Sequence, residues 1–454
     1  MSSTHGPNFK DQNITVMGLG RFGGGVGVTR YLAAHGARIL LTDKEPADKL
    51  TDSIAQIQDL VDSGQVTLRL GEHRAEDFTA FNGRTHLVVA NPAIPTPWTN
   101  SYLLAARAAG VPVTTEISLL ISALPNRDQV IGITGTAGKS TTSAMTHAIL
   151  QTIAPDAVLA GNIGGSLLPS VHKLTSSTPI VLELSSAMLY WINDERRTSN
   201  LPLWSPKVAV VTNIGDNHAD WHGNAHHYSV SKKELLAAQL PGDTAILGES
   251  VRDWPTQLGV KSTVLTQADA IPGLSIPGSH NALNAAMAVH AACALMPNLS
   301  RESAMTAARS FPGLIHRLQF VAEVKGVRFY NDSKCTTPEA SLLAIKSFDD
   351  STRPRIHLIA GGYDKHSDLT PVAQLASDIA GLYTVGKTAT SIEARANGKA
   401  IHCGTIDQAV SHAAMRAKPG DIVLLSPACA SWDQYDNYEK RGEHFVSLVR
   451  ALPQ

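Results

Sequence analysis

Val130-Ile-Gly-Ile-Thr-Gly-Thr-Ala-Gly-Lys-Ser-Thr-Thr142 is the most informative segment of this 454-residue chain. An apolar run gives way to glycines, and a lysine and three hydroxyl residues follow before apolar residues resume at helical spacing from Ala144. Strand, glycine turn and helix in this order predict a loop that binds phosphate through backbone N–H groups at a helix N-terminus. Lys139 adds a positive charge to this loop, and a hydroxyl group reaches a magnesium ion.

The loop departs from the common nucleotide-binding pattern in one respect. That pattern has a further glycine five residues before Gly138, where this chain has Ile133. A bland strand-turn-helix connection would account for the glycines but not for the lysine and hydroxyl residues. We therefore interpret the short form as a nucleoside triphosphate site. The contacts expected from it are Gly135, Thr136, Ala137, Gly138, Lys139, Ser140 and Thr141.

Bulk composition limits the class of protein. A chain of this length is too long for one ordinary core, so about three domains are expected. The net charge of −1 argues against binding to nucleic acid or to an anionic membrane. Four cysteines without paired spacing, a polar N-terminus and the lack of a long apolar run favour a cytoplasmic protein without membrane insertion. We also expect a monomer.

A second glycine turn lies near the N-terminus. One predicted strand ends at Gly18-Leu-Gly20, a helix follows, and a second strand ends at Asp43. A glycine turn with an acidic residue about 20 positions further on is typical of nucleotide-binding α/β domains. The turn Asn91-Pro-Ala-Ile-Pro95 follows a later strand, at the end of the sheet where ligands bind. Strands that complete this unit are predicted at 66–70, 86–90 and 111–115.

Polar residues interrupt the apolar strands that follow the phosphate loop. Glu183 lies in the run Ile180-Val-Leu-Glu, where a buried carboxylate is costly unless a partner neutralises it. Either a magnesium ion or a structural ion pair would provide that partner. Another apolar run, 208–213, leads into Asp216-Asn-His218, which we interpret as part of a site rather than a solvated face.

The last third of the chain is predicted to be a further α/β domain that begins near Gly313. Its strands are expected at 327–330, 356–360, 382–385 and 422–425. Two turns carry candidate functional groups, Asn331-Asp-Ser-Lys-Cys-Thr336 and Gly361-Gly-Tyr-Asp-Lys365. Before this domain, Asn281 and Asn284 lie on one helical face, where they either hold an adenine base or serve capping and packing.

Taken together, these motifs resemble the Mur ligase family, the ATP-dependent amide-forming enzymes of peptidoglycan precursor synthesis. The matches run in family order from Gly18 to about Leu448. The most specific are Leu424-Leu-Ser-Pro-Ala-Cys-Ala-Ser-Trp-Asp-Gln-Tyr435 and Arg441-Gly-Glu-His-Phe445. The resemblance favours the branch that adds D-glutamate to UDP-N-acetylmuramoyl-L-alanine through an acyl phosphate. The short Gly-Thr-x-Gly-Lys-Ser loop is also the form that this family uses.

The resemblance implies an α/β fold with three domains. Residues 1–116 would form a Rossmann-like domain that binds the UDP-sugar, and residues 117–312 a central ATP-binding domain with a P-loop ATPase-type sheet. Residues 313–454 would form a Rossmann-like domain that binds the amino acid. The co-substrate is then ATP, and two magnesium sites are implied.

The resemblance also assigns roles to individual residues. The catalytic set that it implies is Lys139, Glu183, His218 and Lys232. The implied magnesium ligands are Ser140, Glu183, His218 and Lys232, the last as a carbamate formed with CO₂. The ATP contacts implied beyond the phosphate loop are Asn281, Asn284, Arg317 and Asp332.

Two further sets of contacts follow from the same resemblance. The implied contacts with the UDP-substrate are Gly20, Arg21, Phe22, Asp43, Asn162 and His218. The implied contacts with D-glutamate are Lys334, Thr336, Lys365, Ser431 and Tyr438. Because D-glutamate carries two carboxylates, cations and hydrogen-bond donors are the groups expected around it.

Three alternatives remain open on the sequence. The same chemistry could serve another substrate, as in another Mur ligase or an enzyme similar to folylpolyglutamate synthetase. The N-terminal glycine turn could belong to a nicotinamide-dependent dehydrogenase or a nucleotide sensor. A non-catalytic binding protein is the third alternative, because Asn217 and first-domain residues such as Ala93 depart from the residues usual in the family. Ala187-Met188 also depart from the family pattern.

Overall fold

The computed structural model describes residues 9–20, 23–215, 219–363 and 367–453. The chain divides into two compact units. The first unit comprises Met1–Ala268 and Met287–Ala304, and the second comprises Asp269–Ala286 and Met305–Gln454. Three predominantly parallel sheets confirm the predicted α/β class. The domain boundaries proposed from the sequence, after residues 116 and 312, remain predictions.

The first sheet belongs to the first unit. Its strands are β1 (Asn13–Met17), β2 (Arg38–Asp43), β3 (Val66–Leu70), β4 (Leu87–Ala90) and β5 (Val113–Thr115). The helices of this region are α1 (Gly24–Ala34), α2 (Thr51–Ala55), α3 (Gln58–Asp62), α4 (Ser101–Ala108) and α5 (Glu116–Ala123). The strand order is β3-β2-β1-β4-β5, and every pairing is parallel. The order reverses between β1 and β4, which is where such sheets open a crevice at their carboxyl ends.

The second sheet also belongs to the first unit. Its strands are β6 (Val130–Thr134), β7 (Val158–Gly161), β8 (Ile180–Glu183), β9 (Val208–Val211), β10 (Thr244–Gly248) and β11 (Lys261–Leu265). The strand order is β11-β10-β9-β6-β8-β7, again parallel throughout. The helices that follow these strands are α6 (Lys139–Gln151), α7 (Ser186–Thr198), α8 (Ala219–His222), α9 (Ala225–Lys233), α10 (Ser279–Leu295) and α11 (Arg301–Arg309).

The third sheet belongs to the second unit. Its strands are β12 (Gln319–Val324), β13 (Val327–Asn331), β14 (Ile356–Gly361), β15 (Gly381–Val385), β16 (Ala400–Gly404) and β17 (Ile422–Leu425). The strand order is β12-β13-β17-β14-β15-β16, and β12 alone pairs antiparallel to its neighbour among the pairings described. The helices are α12 (Pro338–Lys346), α13 (Thr370–Gln374), α14 (Ala389–Glu393), α15 (Ile406–Arg416) and α16 (Tyr438–Arg450).

Burial explains why the central strands read as continuous apolar runs. All five residues of β6 and all four of β17 are buried. Helices cover both faces of a parallel sheet, so its inner strands carry apolar side chains on both faces. Glu183, at the end of β8, is 1% exposed and is therefore a charged exception in such a strand. None of the helices in the described ranges combines the length and the apolar character needed to cross a bilayer.

Candidate active site

The phosphate loop, Gly135–Ser140, connects β6 to α6. Gly135 has a φ of 149°, and a Cβ at this position would collide with the Thr212 hydroxyl. The loop is braced from the end of the neighbouring strand β9. Asn213 Oδ1 accepts from the Ala137 N–H at 2.9 Å, and Asn213 Nδ2 donates to the Ala137 carbonyl at 3.0 Å. Asn213 was not predicted as a site residue, although it is the polar last residue of the run 208–213.

Lys139 is the first residue of α6. Its Nζ donates to the Gly135 carbonyl at 3.0 Å and to the Thr136 carbonyl at 3.1 Å, so the ammonium lies over the loop. Gly138 caps the helix with a φ of 81°. The N–H groups of the first helical turn have no partner within the helix, and the positive end of the helix dipole lies there. The predicted contacts Ser140 and Thr141 are in this turn and are half-buried.

Lys232 reaches the same loop from α9. Its side chain is buried, and its Nζ donates to the Gly135 carbonyl at 2.8 Å. The Nζ also lies 4.7 Å from the centre of the Tyr228 ring. Burial, together with the charge of Lys139 and against the opposing charge of Glu183, lowers the pKa of Lys232 to about 7. A large fraction of this amine is therefore neutral at neutral pH.

Glu183 lies beside the loop because β8 pairs with β6, with Glu183 in register with Ile133. Its Oε1 accepts from Asn162 Nδ2 at 2.9 Å. Its Oε2 is buried and accepts no hydrogen bond from any described residue. A buried carboxylate oxygen without a partner is costly, and a bound cation removes that cost. Glu183 and the Ser140 hydroxyl are oxygen donors of the kind that magnesium prefers, so these residues fit the implied metal.

The metal site is not visible as a preformed cluster. Within the described ranges, no group of three or more His, Cys, Asp or Glu side chains is arranged to hold a metal ion. The predicted ligand His218 lies outside the described residues. The predicted set also depends on a hydroxyl and on a modified lysine, which such a cluster does not include.

A cavity of about 430 Å³ opens at the carboxyl ends of β1 and β4. The glycine turn Gly18–Gly20 and the turn at Asn91 line one part of it. The segment Gly161–Gly164, which contains Asn162, lines another part. Ala187 and Met188 line a third part. The predicted substrate residues Gly20 and Asn162 are therefore brought to one cavity. Its place at the reversal of strand order agrees with the expected nucleotide crevice.

Asp43 bonds to the backbone of Gly20, one of the residues that line this cavity. Its Oδ2 accepts from the Gly20 N–H at 3.0 Å, and its Oδ1 accepts from the Glu45 N–H at 2.9 Å. Asp43 is not among the described residues that line the cavity. The carboxylate of Asp43 thus bonds to the backbone of the glycine turn after β1 and to the backbone of its own turn after β2. Its predicted contact with the uridine remains a prediction. Arg21 and Phe22 lie outside the described residues.

Glu116 is a cavity residue that sequence reasoning missed. It is the first residue of α5, and its Oε1 accepts from the Ser166 hydroxyl at 2.7 Å. Burial raises the pKa of Glu116, against the effect of that hydrogen bond. Glu116 is the only acidic side chain among the described residues that line the cavity. Its sequence neighbours carry no motif that points to this position.

In the second unit, Asp332 follows β13 and is buried. Its Oδ1 accepts from the Leu318 N–H at 3.2 Å, and its Oδ2 accepts from the Ser426 hydroxyl at 2.8 Å. Burial raises the pKa of Asp332 to about 6, although its hydrogen bonds and the charge of Arg317 oppose the shift. Arg317 is exposed. Asp332 and Arg317, the two predicted nucleotide contacts, are thus near enough to interact electrostatically, but Asp332 is buried and Arg317 is exposed.

Asn281 and Asn284 are both buried near the start of α10. Asn284 Nδ2 donates to Asn281 Oδ1 at 3.2 Å, and Asn281 Nδ2 donates to the Pro277 carbonyl at 2.6 Å. The prediction that they share one helical face is confirmed. Their predicted contact with the adenine base remains a prediction.

The predicted D-glutamate residues lie near two turns of the second unit. Lys334 is exposed, and its Nζ lies 5.2 Å from the centre of the Tyr438 ring. Thr336 is half-buried and Ser431 is buried. Lys365 lies outside the described residues. Of the predicted D-glutamate residues, Lys334 and Tyr438 therefore lie close to each other.

A buried arginine joins two turns of the second unit, the turn at Asn331–Thr336 and the turn after β17 at Cys429–Ala430. Arg441 Nε donates to the Ser333 hydroxyl at 3.0 Å, and its Nη2 donates to the Ser333 carbonyl at 2.8 Å. Its Nη1 donates to the carbonyls of Cys429 and Ala430 at 3.0 and 3.2 Å. Burial lowers the pKa of Arg441 to about 10. The motif at Arg441–Phe445 was recognised in the sequence, but this supporting role was not.

Comparisons with known proteins identify the family of this chain. Residues 133–266 match the Mur ligase middle domain, and residues 316–429 match the Mur ligase glutamate ligase domain. The UDP-N-acetylmuramoylalanine--D-glutamate ligase of Roseiflexus sp. (strain RS-1) is 35% identical, covering 96% of this chain and 98% of its own. The protein of the same name from Pelotomaculum thermopropionicum is 34% identical, covering 98% and 99%.

A solved structure has the same fold. The MurF ligase from Thermotoga maritima in complex with ADP covers 100% of both chains, with a TM-score of 0.50 and 14% sequence identity. At that identity the likeness concerns the fold alone. The family resemblance predicted from the motifs is confirmed by the matched domains and by relatives above 30% identity over nearly the whole chain. The chain belongs to the Mur ligase family.

Proposed function

We propose that this chain is an ATP-dependent ligase that joins D-glutamate to the terminal carboxylate of UDP-N-acetylmuramoyl-L-alanine in peptidoglycan precursor synthesis. The observation that carries this proposal is the near full-length similarity to D-glutamate ligases. The phosphate loop, with its two lysines and the carboxylate of Glu183, provides the chemistry that such a ligase requires.

The reaction has two steps. A carboxylate oxygen of the muramoyl-alanine substrate attacks the γ-phosphorus of ATP, and ADP leaves with the bridging oxygen to give an acyl phosphate. The amine nitrogen of D-glutamate then attacks the acyl carbon, loses a proton, and expels inorganic phosphate. Activation is required because a carboxylate is a poor electrophile, whereas phosphate is a good leaving group. Nearly all of the catalytic effect in the first step is expected from positioning and charge stabilisation.

Lys139 is assigned to the charge that develops on the transferring phosphoryl group. Its ammonium is held by two loop carbonyls, so it is placed before the substrate binds. Fixed charges of this kind need no reorganisation as the reaction proceeds. The N–H groups at the start of α6 contribute partial positive charge on the same anion.

Magnesium would be held by Ser140, Glu183 and Lys232, the last as its carbamate. His218, which lies outside the described residues, completes the proposed set. Magnesium, when bound, neutralises charge on the phosphate oxygens. The carbamate forms when the neutral amine of Lys232 attacks the carbon of CO₂, makes an N–C bond and loses a proton. The lowered pKa of Lys232 favours this reaction, because it leaves the nitrogen lone pair available. Two metal sites are proposed.

The UDP-sugar is assigned to the 430 Å³ cavity, with Gly20 and Asn162 among its contacts. D-Glutamate is assigned to the second unit, where Lys334, Thr336, Ser431 and Tyr438 provide a cation and hydroxyl donors for its carboxylates. Lys365 completes this proposed set. The enzyme is further proposed to be cytoplasmic and monomeric. Light scattering of the purified protein tests the monomeric state.

The deciding experiment measures phosphate release from ATP with UDP-N-acetylmuramoyl-L-alanine and one amino acid at a time. D-Glutamate is expected to support turnover, and L-glutamate and D-aspartate serve as matched controls for stereochemistry and chain length. Failure of D-glutamate to stimulate phosphate release refutes the proposal. A melting assay separates the dehydrogenase alternative, because the UDP-sugar should raise the melting temperature whereas NADH should not.

A further inference from the structure

His222, the last residue of α8, has no role in the chemistry described above. It is 1% exposed. Its Nε2 lies 2.8 Å from the Ser186 hydroxyl, and its Nδ1 lies 2.8 Å from Nδ1 of His227. One of the two Nδ1 atoms carries the proton and donates while the other accepts. An imidazole with both nitrogens engaged in a closely packed interior is held in a single orientation.

The Nε2 bond reaches a wall of the 430 Å³ cavity. Ser186 is the first residue of α7, and its neighbours Ser185, Ala187 and Met188 all line the cavity. Ser185 also caps the helix, since its hydroxyl accepts from the Met188 N–H at 3.2 Å. His222 therefore holds the start of the helix that forms this wall.

The Nδ1 bond reaches the phosphate loop through α9. His227 precedes Tyr228, whose hydroxyl lies 3.0 Å from the hydroxyl of Thr136. One turn further along α9, Lys232 donates to the Gly135 carbonyl. The helix that His222 contacts thus touches the phosphate loop at two points.

A third connection comes from Trp221, directly before His222. Its indole Nε1 donates to the Pro92 carbonyl at 3.1 Å, and its own carbonyl accepts from the Thr96 N–H at 3.0 Å. Pro92 lines the cavity. The segment 221–222 therefore joins three structures: the turn after β4, the start of α7 and the helix α9.

We propose that His222 is a positioning residue for phosphoryl transfer. It sets the distance between the cavity wall and the phosphate loop, so that the carboxylate of the bound sugar substrate lies in line with the γ-phosphoryl group. Small displacements of this kind reduce rate strongly, because attack requires reacting atoms about 3 Å apart. This inference rests on the proposed function of the cavity and the loop.

A buried histidine elsewhere in the chain is a matched control. His357 is 3% exposed, its Nδ1 lies 2.9 Å from the Tyr383 hydroxyl, and its Nε2 lies 3.3 Å from Asp421 Oδ2. It lies in the second unit, is also buried, and each of its ring nitrogens also lies close to a polar side-chain atom. None of those partners belongs to a proposed site, so His357 reports the effect of losing a structural histidine alone.

The experiment compares steady-state kinetics and melting temperatures of His222→Ala, His222→Gln, His222→Asn and His357→Gln in the full chain. His222→Ala is expected to lower kcat about 10- to 100-fold, while KM for ATP changes by less than about threefold. Gln can replace the Nε2 contact with Ser186, and Asn can replace the Nδ1 contact with His227. At least one of them should recover kcat, and the one that does so identifies the bond that matters. His357→Gln should lower the melting temperature without changing kcat.

Ser186→Ala and the double variant with His222→Ala complete the test. If His222 acts through Ser186, the double variant loses no more activity than His222→Ala alone. Normal kcat in all His222 variants, or equal kcat losses in the His222 and His357 variants, overturns the inference. If His222→Ala does not fold, the Gln, Asn and Ser186→Ala variants still decide it. Absence of turnover in the wild type refutes the proposed function and this role with it, whereas wild-type turnover with an unaffected His222→Ala refutes this role alone.

Discussion

The phosphate loop of the first unit and the turn at Asn331–Thr336 of the second unit differ in how deeply the nearby lysine is buried. Each follows a strand of a parallel sheet, and each has a lysine close to a tyrosine ring: Lys232 at 4.7 Å from Tyr228 and Lys334 at 5.2 Å from Tyr438. Lys232 is buried, whereas Lys334 is exposed.

The buried cation of the second unit is instead Arg441, which donates to the backbone of both turns. In the first unit, two of the charged residues proposed to take part in the reaction, Glu183 and Lys232, are themselves buried. In the second, the buried charge supports the backbone, and the proposed ligand contact Lys334 is at the surface. Phosphoryl transfer benefits from charges fixed in advance away from water, whereas a dissociating amino acid needs an accessible contact.

The largest effect is expected for Lys139→Ala. Removing the ammonium from the phosphate loop should lower kcat by about 10³-fold or more, because it stabilises charge in the transition state. The melting temperature should stay within about 2 °C of wild type. Lys261→Ala, at an exposed position of β11, is the control and should retain normal turnover. A Lys139 variant with near-normal kcat contradicts the assigned role.

Lys232→Ala should lower kcat by about 100-fold. The neighbouring Lys233 has its Nζ 5.3 Å from the centre of the Trp254 ring, and Lys233→Ala should have little effect on kcat.

The pKa of Lys232, lowered to about 7, also predicts a pH dependence. The neutral amine predominates above pH 7 and is lost as the pH falls below it. At constant dissolved CO₂, reactivation of CO₂-depleted enzyme should therefore increase as pH rises through about 7. An active preparation whose intact mass shows no carbamate removes this hypothesis.

Arg441→Met should destabilise the second unit by on the order of 3 kcal/mol, because it leaves several buried carbonyl groups without donors. Urea unfolding measures this loss. Arg450→Met, at an exposed position near the end of the same helix, should change stability by less than about 0.5 kcal/mol. Equal stability of the two variants would show that the guanidinium does not support the turns.

The smallest effect is expected for Lys334→Ala. Loss of one exposed cation should raise KM for D-glutamate by about tenfold and leave the free energy of unfolding unchanged, since a single charge-assisted contact contributes about 1 to 2 kcal/mol. Kinetics at saturating ATP and UDP-sugar measure it, with Lys346→Ala as the control. A stability loss without a change in KM would assign Lys334 to the scaffold instead.

Most of the strands that sequence patterns located are buried along most of their length, although β3 was also predicted and only its first residue is buried. β6 and β17 are continuous apolar runs with abrupt polar ends, and both lie where they were predicted. β7, β10, β11, β12 and β16 were not predicted. The first three residues of β11 are exposed, and β12 is largely half-buried, so neither has the continuous apolar signal. The strand predicted at 111–115 begins only at Val113, after Pro112.

The residues that carry chemistry were easier to predict than those that position them. Lys139 stands out because it follows a glycine turn at the end of an apolar run, and Glu183 because a charge within an apolar run is unusual. The residues that hydrogen-bond to the side chains of Asn213 and Arg441, and the Ser186 partner of His222, lie more than ten residues away in the sequence, and no local pattern records such pairs.

The amino-acid sequence by itself determined the strand-turn-helix loop at Val130–Thr142, the α/β class and the family. These follow from local order, in which apolar runs, glycines and a lysine occur at fixed spacing. Only the tertiary structure decided that Lys232 is buried against the Gly135 carbonyl and that Glu183 keeps one buried oxygen without a described partner. It also decided that Asp43 accepts a hydrogen bond from the backbone of the glycine turn at Gly20. Burial and hydrogen bonding between distant segments set pKa values and orientations, and both depend on which surfaces the fold brings together.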